Sequence, residues 1–268
     1  MSTGRFIWHD LVTPDVEGAK AFYAELLGWT YANFTGPDGA PAPADMPPYP
    51  MITPAGAAMA QGGIMAPQLP GVPPHWIGHV ALPAVDDVAA RATASGGSVV
   101  MGPFDIPGVG RNALIADPVG AHFGVITFAG EGMPLPEGDR PVGSFVWDEL
   151  VTTDVEGAKG FYGAVTGWDA QDWDGPVPYA MFTTGNAQAG GLMARPPEMQ
   201  APPAWITYVN VDDIAATVTK ALTLGGAVYA GPFPVPTIGQ IAVIGDPQGA
   251  ALGLIQPDMA GSGDSGGS

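Results

Sequence analysis

Few residues in this chain have side chains that can do chemistry. There are four histidines and no cysteine. The missing cysteine excludes thiol catalysis, disulfide frameworks, zinc fingers and cysteine-held iron–sulfur clusters. Two stretches place a carboxylate two residues after a tryptophan, Trp8-His9-Asp10 and Trp147-Asp148-Glu149. His79 and His122 lie in apolar runs of strand length. A strand sends alternate residues to one face. If those faces meet, Asp10, His79 and His122 make a two-histidine, one-carboxylate set. Such a set suits non-haem iron. It also suits acid/base work, because imidazole titrates near neutrality. No GxGxxG opens a helix after a strand, no Walker A sequence is present, and no serine sits in a Gly-x-Ser-x-Gly elbow, so nucleotide and serine-hydrolase motifs are missing.

The elements that would position these residues occur twice. Residues 6–29 and 145–168 are identical at 15 of 24 positions at an offset of 139. Trp76–Ile126 matches Trp205–Ile255 at an offset of 129, anchored by Gly102-Pro103-Phe104 with Gly231-Pro232-Phe233 and by Asp117-Pro118 with Asp246-Pro247. The chain therefore divides into two homologous domains, 4–129 and 142–257, with a linker at 130–141 and a disordered tail at 258–268. The offset shrinks because the first copy carries a Pro-, Gly- and Ala-rich segment over 34–48, expected to be a loop and either a lid or disordered. Each copy reads as strand–helix–three strands, twice over. In the first copy Phe6–Val12 is a strand. The helix after it is expected to take Thr13 as N-cap and Pro14 at its first position, and to end at Gly28. Strands follow near 29–34, 49–53 and 63–66. The second unit has a strand at 75–82, a helix near 86–95 and strands near 98–101, 111–116 and 121–128.

Composition narrows the partners. Twenty-six acidic residues against eight basic ones give a net charge of −18. Such a chain repels phosphate backbones and anionic lipid, so neither nucleic acid nor a membrane surface is expected as a partner. At 46% hydrophobic residues it can bury a core. The N-terminus reads as neither a signal peptide nor a membrane span, and a cytoplasmic protein is expected.

The 6–29 pattern, then a His-Trp-x-x-His-Val strand, then an Asp-Pro-x-Gly-Ala strand, resembles the vicinal oxygen chelate superfamily of glyoxalases, bleomycin- and fosfomycin-resistance proteins and extradiol dioxygenases. It looks most like the tandem glyoxalase-like proteins of actinobacteria, some of them labelled hydroxylases. The resemblance covers about 6–257. It implies an α+β fold of four βαβββ modules, paired into two glyoxalase-like domains that are each a half-open barrel. In metal-dependent members, first- and last-strand side chains hold Zn²⁺, Ni²⁺, Mn²⁺ or Fe²⁺. Carried over to this chain, those positions fall on Trp8, about Gln61 or Gly62, His79 and Gly124, and in the second copy on Trp147, about Gln188, Tyr208 and Gly253. An indole cannot ligate a metal and glycine has no side chain, so no cofactor is expected. If a metal binds, Asp10, His79 and His122 are its expected ligands.

With Trp8, His79 and Gly124 facing the cavity, strand period also turns Asp10 and His122 inward, and Glu149 in the second copy. Trp8, Tyr49 and Met51, with Trp147, Tyr179, Met181 and Tyr208, are expected to line apolar cavities suited to a planar ligand. Arg111 is a candidate for an anionic group. His9, alternating with Trp8, is expected to face helices or solvent, and Trp29 and Trp168 to be core. The reading favoured is a metal-independent enzyme that moves protons on a carbonyl-containing or aromatic metabolite, of lyase, isomerase, cyclase or hydrolase type. The alternative is sequestration of an antibiotic or metabolite without chemistry. A metal-dependent glyoxalase, hydroxylase or dioxygenase ranks last. The assembly is expected to be a monomer with pseudo-twofold domains, or a homodimer.

Overall fold

In a computed structural model, residues 4–35, 47–130, 140–175 and 177–258 are described. Most of the 34–48 segment, the linker and the tail fall outside them. The first module is β1 (Phe6–Val12), α1 (Val16–Leu27), β2 (Thr30–Asn33), β3 (Pro50–Thr53) and β4 (Gly62–Met65). The second is β5 (His75–Ala81), α2 (Val85–Ala94), β6 (Ser98–Ile106), β7 (Gly110–Ala116) and β8 (His122–Phe128). The second copy repeats both: β9 (Phe145–Thr152), α3 (Val155–Thr166), β10 (Asp169–Asp172), β11 (Ala180–Thr184) and β12 (Ala187–Ala194), then β13 (Ala204–Asn210), α4 (Ile214–Thr223), β14 (Ala227–Val235), β15 (Gly239–Gly245) and β16 (Ala251–Pro257).

Each copy forms one open eight-stranded sheet. The first runs β2-β3-β4-β1-β5-β8-β7-β6 and the second β10-β11-β12-β9-β13-β16-β15-β14. The two modules of a copy therefore meet at β1·β5 and at β9·β13, so residues from both modules share one concave face.

Helix α1 does not start where the sequence rules suggest. Asp15 is the N-cap, its Oδ1 accepting from the Gly18 N–H at 2.9 Å, and Thr13 and Pro14 precede the helix. The Thr13 hydroxyl instead accepts from the Asp15 N–H at 3.3 Å. A carboxylate two residues on outcompetes it, because it also offsets the positive end of the helix. Gly28 ends α1 at φ 70° as expected, a conformation costly for any other residue.

The apolar faces of the helices pack on the strands of their own copy and also against each other across the copies. Phe22, Tyr23 and Leu26 of α1 share a core with Ile214, Val218 and Ala221 of α4. Val85, Val88 and Ala92 of α2 share another with Phe161, Tyr162 and Val165 of α3. The polar locks are reciprocal. Trp29 Nε1 donates to the Gly143 carbonyl at 2.8 Å, and Trp168 Nε1 to the Gly4 carbonyl at 2.7 Å. Tyr23 OH donates to Asp246 at 3.2 Å, and Tyr162 OH to Asp117 at 3.2 Å. A contact in which i meets j and j's mate meets i's mate is the mark of a twofold. Trp29 and Trp168 are core, as expected.

Candidate functional site

The concave face of the first copy is built row by row from strand register. Asp10 on β1 lies beside Gly63 on β4, which lies beside Met51 on β3. Trp8 lies beside His79 on β5, which lies beside Gly124 on β8. Cross-strand neighbours share a face, so Trp8, Asp10, Met51 and His79 point the same way, as the strand period predicted. The glycines make the room. A Cβ on Gly124 would stand 2.5 Å from His79 Cε1 and 2.6 Å from its Cγ, so the imidazole lies where a residue-124 side chain would be. The Tyr49 phenol lies over Gly63 in the same way.

These side chains form one network. Tyr49 OH donates to Asp10 Oδ1. Trp8 Nε1 points at Tyr49 OH at 2.7 Å and at Asp10 Oδ1 at 3.0 Å. The other carboxylate oxygen, Oδ2, is 3.0 Å from His79 Nε2, with side chains only 9% and 12% exposed. That N–H is turned out of line with Oδ2, and Nε2 has no hydrogen-bond partner among the described residues. Nδ1 lies 3.2 Å from Asn112 Nδ2. With the amide donating, Nδ1 accepts and the proton sits on Nε2. Burial pushes the Asp10 carboxyl up, but the facing His79 and the donors Tyr49 and Trp8 together outweigh it and hold Asp10 below the usual carboxylate range. Burial, and then the Asp10 charge, push the Tyr49 phenol well above its ordinary value.

The second copy has the same frame and different chemistry. Glu149 lies beside Gly191, and Trp147 beside Tyr208, which lies beside Gly253. Tyr208 takes the place of His79, its ring over Gly253, and its OH donates to Glu149 Oε1 at 3.0 Å. Trp147 Nε1 donates to Tyr179 OH at 3.0 Å. Met181 lies beside Gly191 as Met51 does beside Gly63. Burial pushes Glu149 up, and the Tyr208 and Tyr179 hydrogen bonds only partly offset it. One frame thus holds an ionised Asp10 beside an imidazole and a Glu149 displaced toward its neutral form.

Two expected residues fall elsewhere. His122 lies on the same face as Gly124 but at the first position of β8, exposed. Strand period gave its face correctly, whereas its height along the strand keeps it from Asp10. Arg111 is 36% exposed and pairs with Asp86 and Asp105 on the surface. Two polar side chains of the first copy turn toward the other copy. His9 is buried, with Nε2 3.0 Å from Asp148 Oδ2 in the other copy. Gln61 bonds Ser144 and Phe145 there rather than joining the site. Asn112 was missed altogether. Its signal was a polar residue in an apolar strand, replaced by Ile241 in the copy where Tyr208 replaces His79.

The donor set does not fit a chelated metal. Of the four positions the resemblance implies in the first copy, Trp8 and Gly124 offer no ligand atom, Gln61 is bonded to Ser144 and Phe145, and only His79 remains. Among the described residues no three His, Asp or Glu side chains are grouped closely enough to hold an ion.

A family model described as Glyoxalase/Bleomycin resistance protein/Dioxygenase superfamily matches residues 5–125 and 144–254. The chain belongs to this superfamily. It is 37% identical over 254 residues to the Mycobacterium tuberculosis protein named "Putative glyoxylase CFP32", covering 93% of this chain and 94% of that protein. It is 30% identical over 263 residues to the anthracycline biosynthesis protein DauV of Streptomyces sp. strain C5, covering 93% of this chain and 92% of that protein. Among solved structures, a Mn(II)-bound glyoxalase from Novosphingobium aromaticivorans superposes with a TM-score of 0.61 at 17% identity, covering 95% of this chain and 82% of that one. A 2,2',3-trihydroxybiphenyl 1,2-dioxygenase from Sphingomonas wittichii gives 0.58 at 12%, covering 95% and 91%. At these identities the two structures bear on the fold alone. The superfamily's tandem glyoxalase-like architecture is the one seen here, with open sheets rather than a closed barrel.

Proposed function

We propose that the chain is a metal-independent enzyme that abstracts a proton next to a carbonyl in a small, planar metabolite bound on the concave face of the first copy. The observation that carries this reading is the buried His79 Nε2, unpartnered among the described residues and 3.0 Å from Asp10 Oδ2. A buried polar atom left without a partner calls for a ligand or a role. Nε2–H polarises the substrate carbonyl. Asp10 Oδ2 accepts the carbon-bound proton, since Tyr49 and Trp8 already occupy Oδ1. Asn112 fixes the tautomer, and Trp8, Tyr49 and Met51 supply apolar walls. A carboxylate base paired with an imidazole electrophile is an established division of labour for enolisation. The anthracycline biosynthesis relatives support a fused-ring carbonyl compound as substrate.

Carbonyl compounds incubated with the protein in D₂O, with chelator present, test this by NMR. A substrate should exchange its α-proton, and Asp10→Asn or His79→Ala should slow exchange about 10²–10⁴-fold. Undiminished exchange in both variants, or exchange abolished by the chelator, overturns the reading. One observation favours a binding role for the second copy. Glu149 is held toward its neutral form by burial and faces tyrosines, which gives hydrogen bonding without a proton-transfer partner. A ligand bound there is expected to return unaltered.

A further inference from the structure

The twofold relation between the copies breaks at the junction around Gln61, and a cavity opens there. On one side of the axis Gln61 reaches across the junction. Its Nε2 donates to Ser144 Oγ at 3.3 Å, and its Oε1 accepts from the Phe145 N–H at 3.1 Å. The strand registers Asp10↔Gly63 and Glu149↔Gly191 make Ala189 the mate of Gln61. The offset of 139 makes Arg5 and Phe6 the mates of Ser144 and Phe145. On this second side alanine fills nothing, and the serine is an arginine. A cavity of about 290 Å³ lies there, lined among others by Arg5, Phe6, His9, Arg140, Trp147 and Ala189.

The charge of this cavity runs against that of the chain. Eight basic residues face 26 acidic ones overall, yet two arginines line this one space. The nearby carboxylate is already engaged, since Asp148 faces His9 at 3.0 and 3.1 Å and takes the Thr207 hydroxyl at 2.8 Å. Burial, and then repulsion from Arg5, push the Arg140 guanidinium down against a smaller attraction from Asp148, which also lines the cavity, and an anion between the two arginines would relieve both costs. Arg140 gives one N–H to the Phe145 carbonyl and keeps further donors in its planar fork.

We propose that this junction cavity binds a small oxyanion, a carboxylate or phosphate group, between Arg5 and Arg140, with any apolar remainder against Phe6 and Trp147. The volume holds about ten water-sized groups, which sets the upper size of the ligand. This site lies apart from the concave face of the first copy, shares only Trp147 with that of the second, and does not rest on the proposed proton transfer.

The test uses the whole chain, with inorganic phosphate, acetate and benzoate titrated at ionic strength held constant with sodium chloride. Calorimetry and thermal melting should show saturable binding by at least one anion, and the anion that saturates separates the phosphate from the carboxylate source. Arg5→Gln should weaken it by about tenfold or more. Ala189→Gln should abolish it while leaving both arginines in place, because it copies into the cavity the side chain that its mate already seats. Effects no different from sodium chloride for all three anions overturn the proposal. So does saturable binding that Ala189→Gln leaves unchanged.

Discussion

Replacing Gly124 by alanine tests whether His79 is held where the site needs it. Gly124 has an ordinary backbone conformation, so alanine is allowed there and only contacts matter. The new methyl would meet Cε1 at 2.5 Å and Cγ at 2.6 Å, against about 3.5–4.0 Å for relaxed carbon contacts. The ring must retreat by about 1 Å or more. It is confined by Asn112 at 3.2 Å from Nδ1 and by Asp10 at 3.0 Å from Nε2, so retreat breaks both contacts. Overpacking a filled site costs about 1–3 kcal/mol, and losing the Asn112 hydrogen bond to the ring about 0.5–1.5 kcal/mol more. Moving the ring relieves part of the first cost while incurring the second, so we expect about 2–4 kcal/mol from urea denaturation. For a chain of this size that is roughly 4–16 °C in Tm. Asp10 also loses the largest influence holding its pKa down, so acid unfolding should move to higher pH. In the double variant Gly124→Ala/His79→Ala the methyl enters the emptied ring space, and the two costs should fall short of their sum by about 1–2 kcal/mol. Strict additivity, or a loss under about 0.5 kcal/mol for Gly124→Ala alone, would refute the reasoning.

Three further predictions separate roles elsewhere. Asp10 sits below its unfolded pKa, so it stabilises the fold above the unfolded value and that gain is lost as pH falls through the folded one. Glu149 sits above its unfolded pKa, so its contribution is full below the unfolded value and lost as pH rises through the folded one. At neutral pH, melting curves should therefore show Asp10→Asn destabilising and Glu149→Gln neutral or stabilising. Trp29→Phe and Trp168→Phe each orphan a carbonyl across the junction, Gly143 or Gly4, and should cost similar amounts, about 1–3 kcal/mol by denaturation. Markedly unequal costs would contradict the twofold reading. Arg111→Ala removes only surface pairs and should leave the melting temperature and the exchange activity essentially unchanged.

Repetition carried the fold in the sequence. The duplicated 6–29 block and the Asp-Pro turns fixed the order of the modules, and strand period put Trp8, Asp10 and His79 on one face. Period gives direction but not height, and for that reason His122 was grouped with Asp10 although it lies at an exposed strand end. Helix capping followed local competition. Thr13 and Asp15 are both capable caps, and only the backbone path chose Asp15. The residues misplaced were those whose partners lie in the other copy. His9 points away from the concave face, as alternation requires, but that direction leads to Asp148 rather than to solvent. Gln61 likewise meets Ser144 and Phe145, more than 80 residues along the chain. No pattern within one module specifies such a partner.

A duplicated chain supplies its own comparison, position by position. Many residues on which the copies agree do structural work. Trp29 with Trp168, Tyr23 with Tyr162, and Asp117 with Asp246 make reciprocal locks across the junction. The glycines at 63 and 191, and at 124 and 253, agree because each must admit an aromatic or imidazole ring from a neighbouring strand or loop. Where the copies differ, packing alone does not dictate the choice. Asp10, His79 and Asn112 become Glu149, Tyr208 and Ile241 together, which exchanges a carboxylate held below its usual pKa for one held toward its neutral form. Gln61 and Ser144 become Ala189 and Arg5 together, which exchanges a filled junction for a cationic cavity. Drift at independent positions would leave mismatches, a buried amide without its imidazole or an arginine driven into a glutamine. Each difference instead arrives with the partner it requires, and that pairing is the physical ground for assigning the concave face of the first copy and the junction cavity distinct ligands.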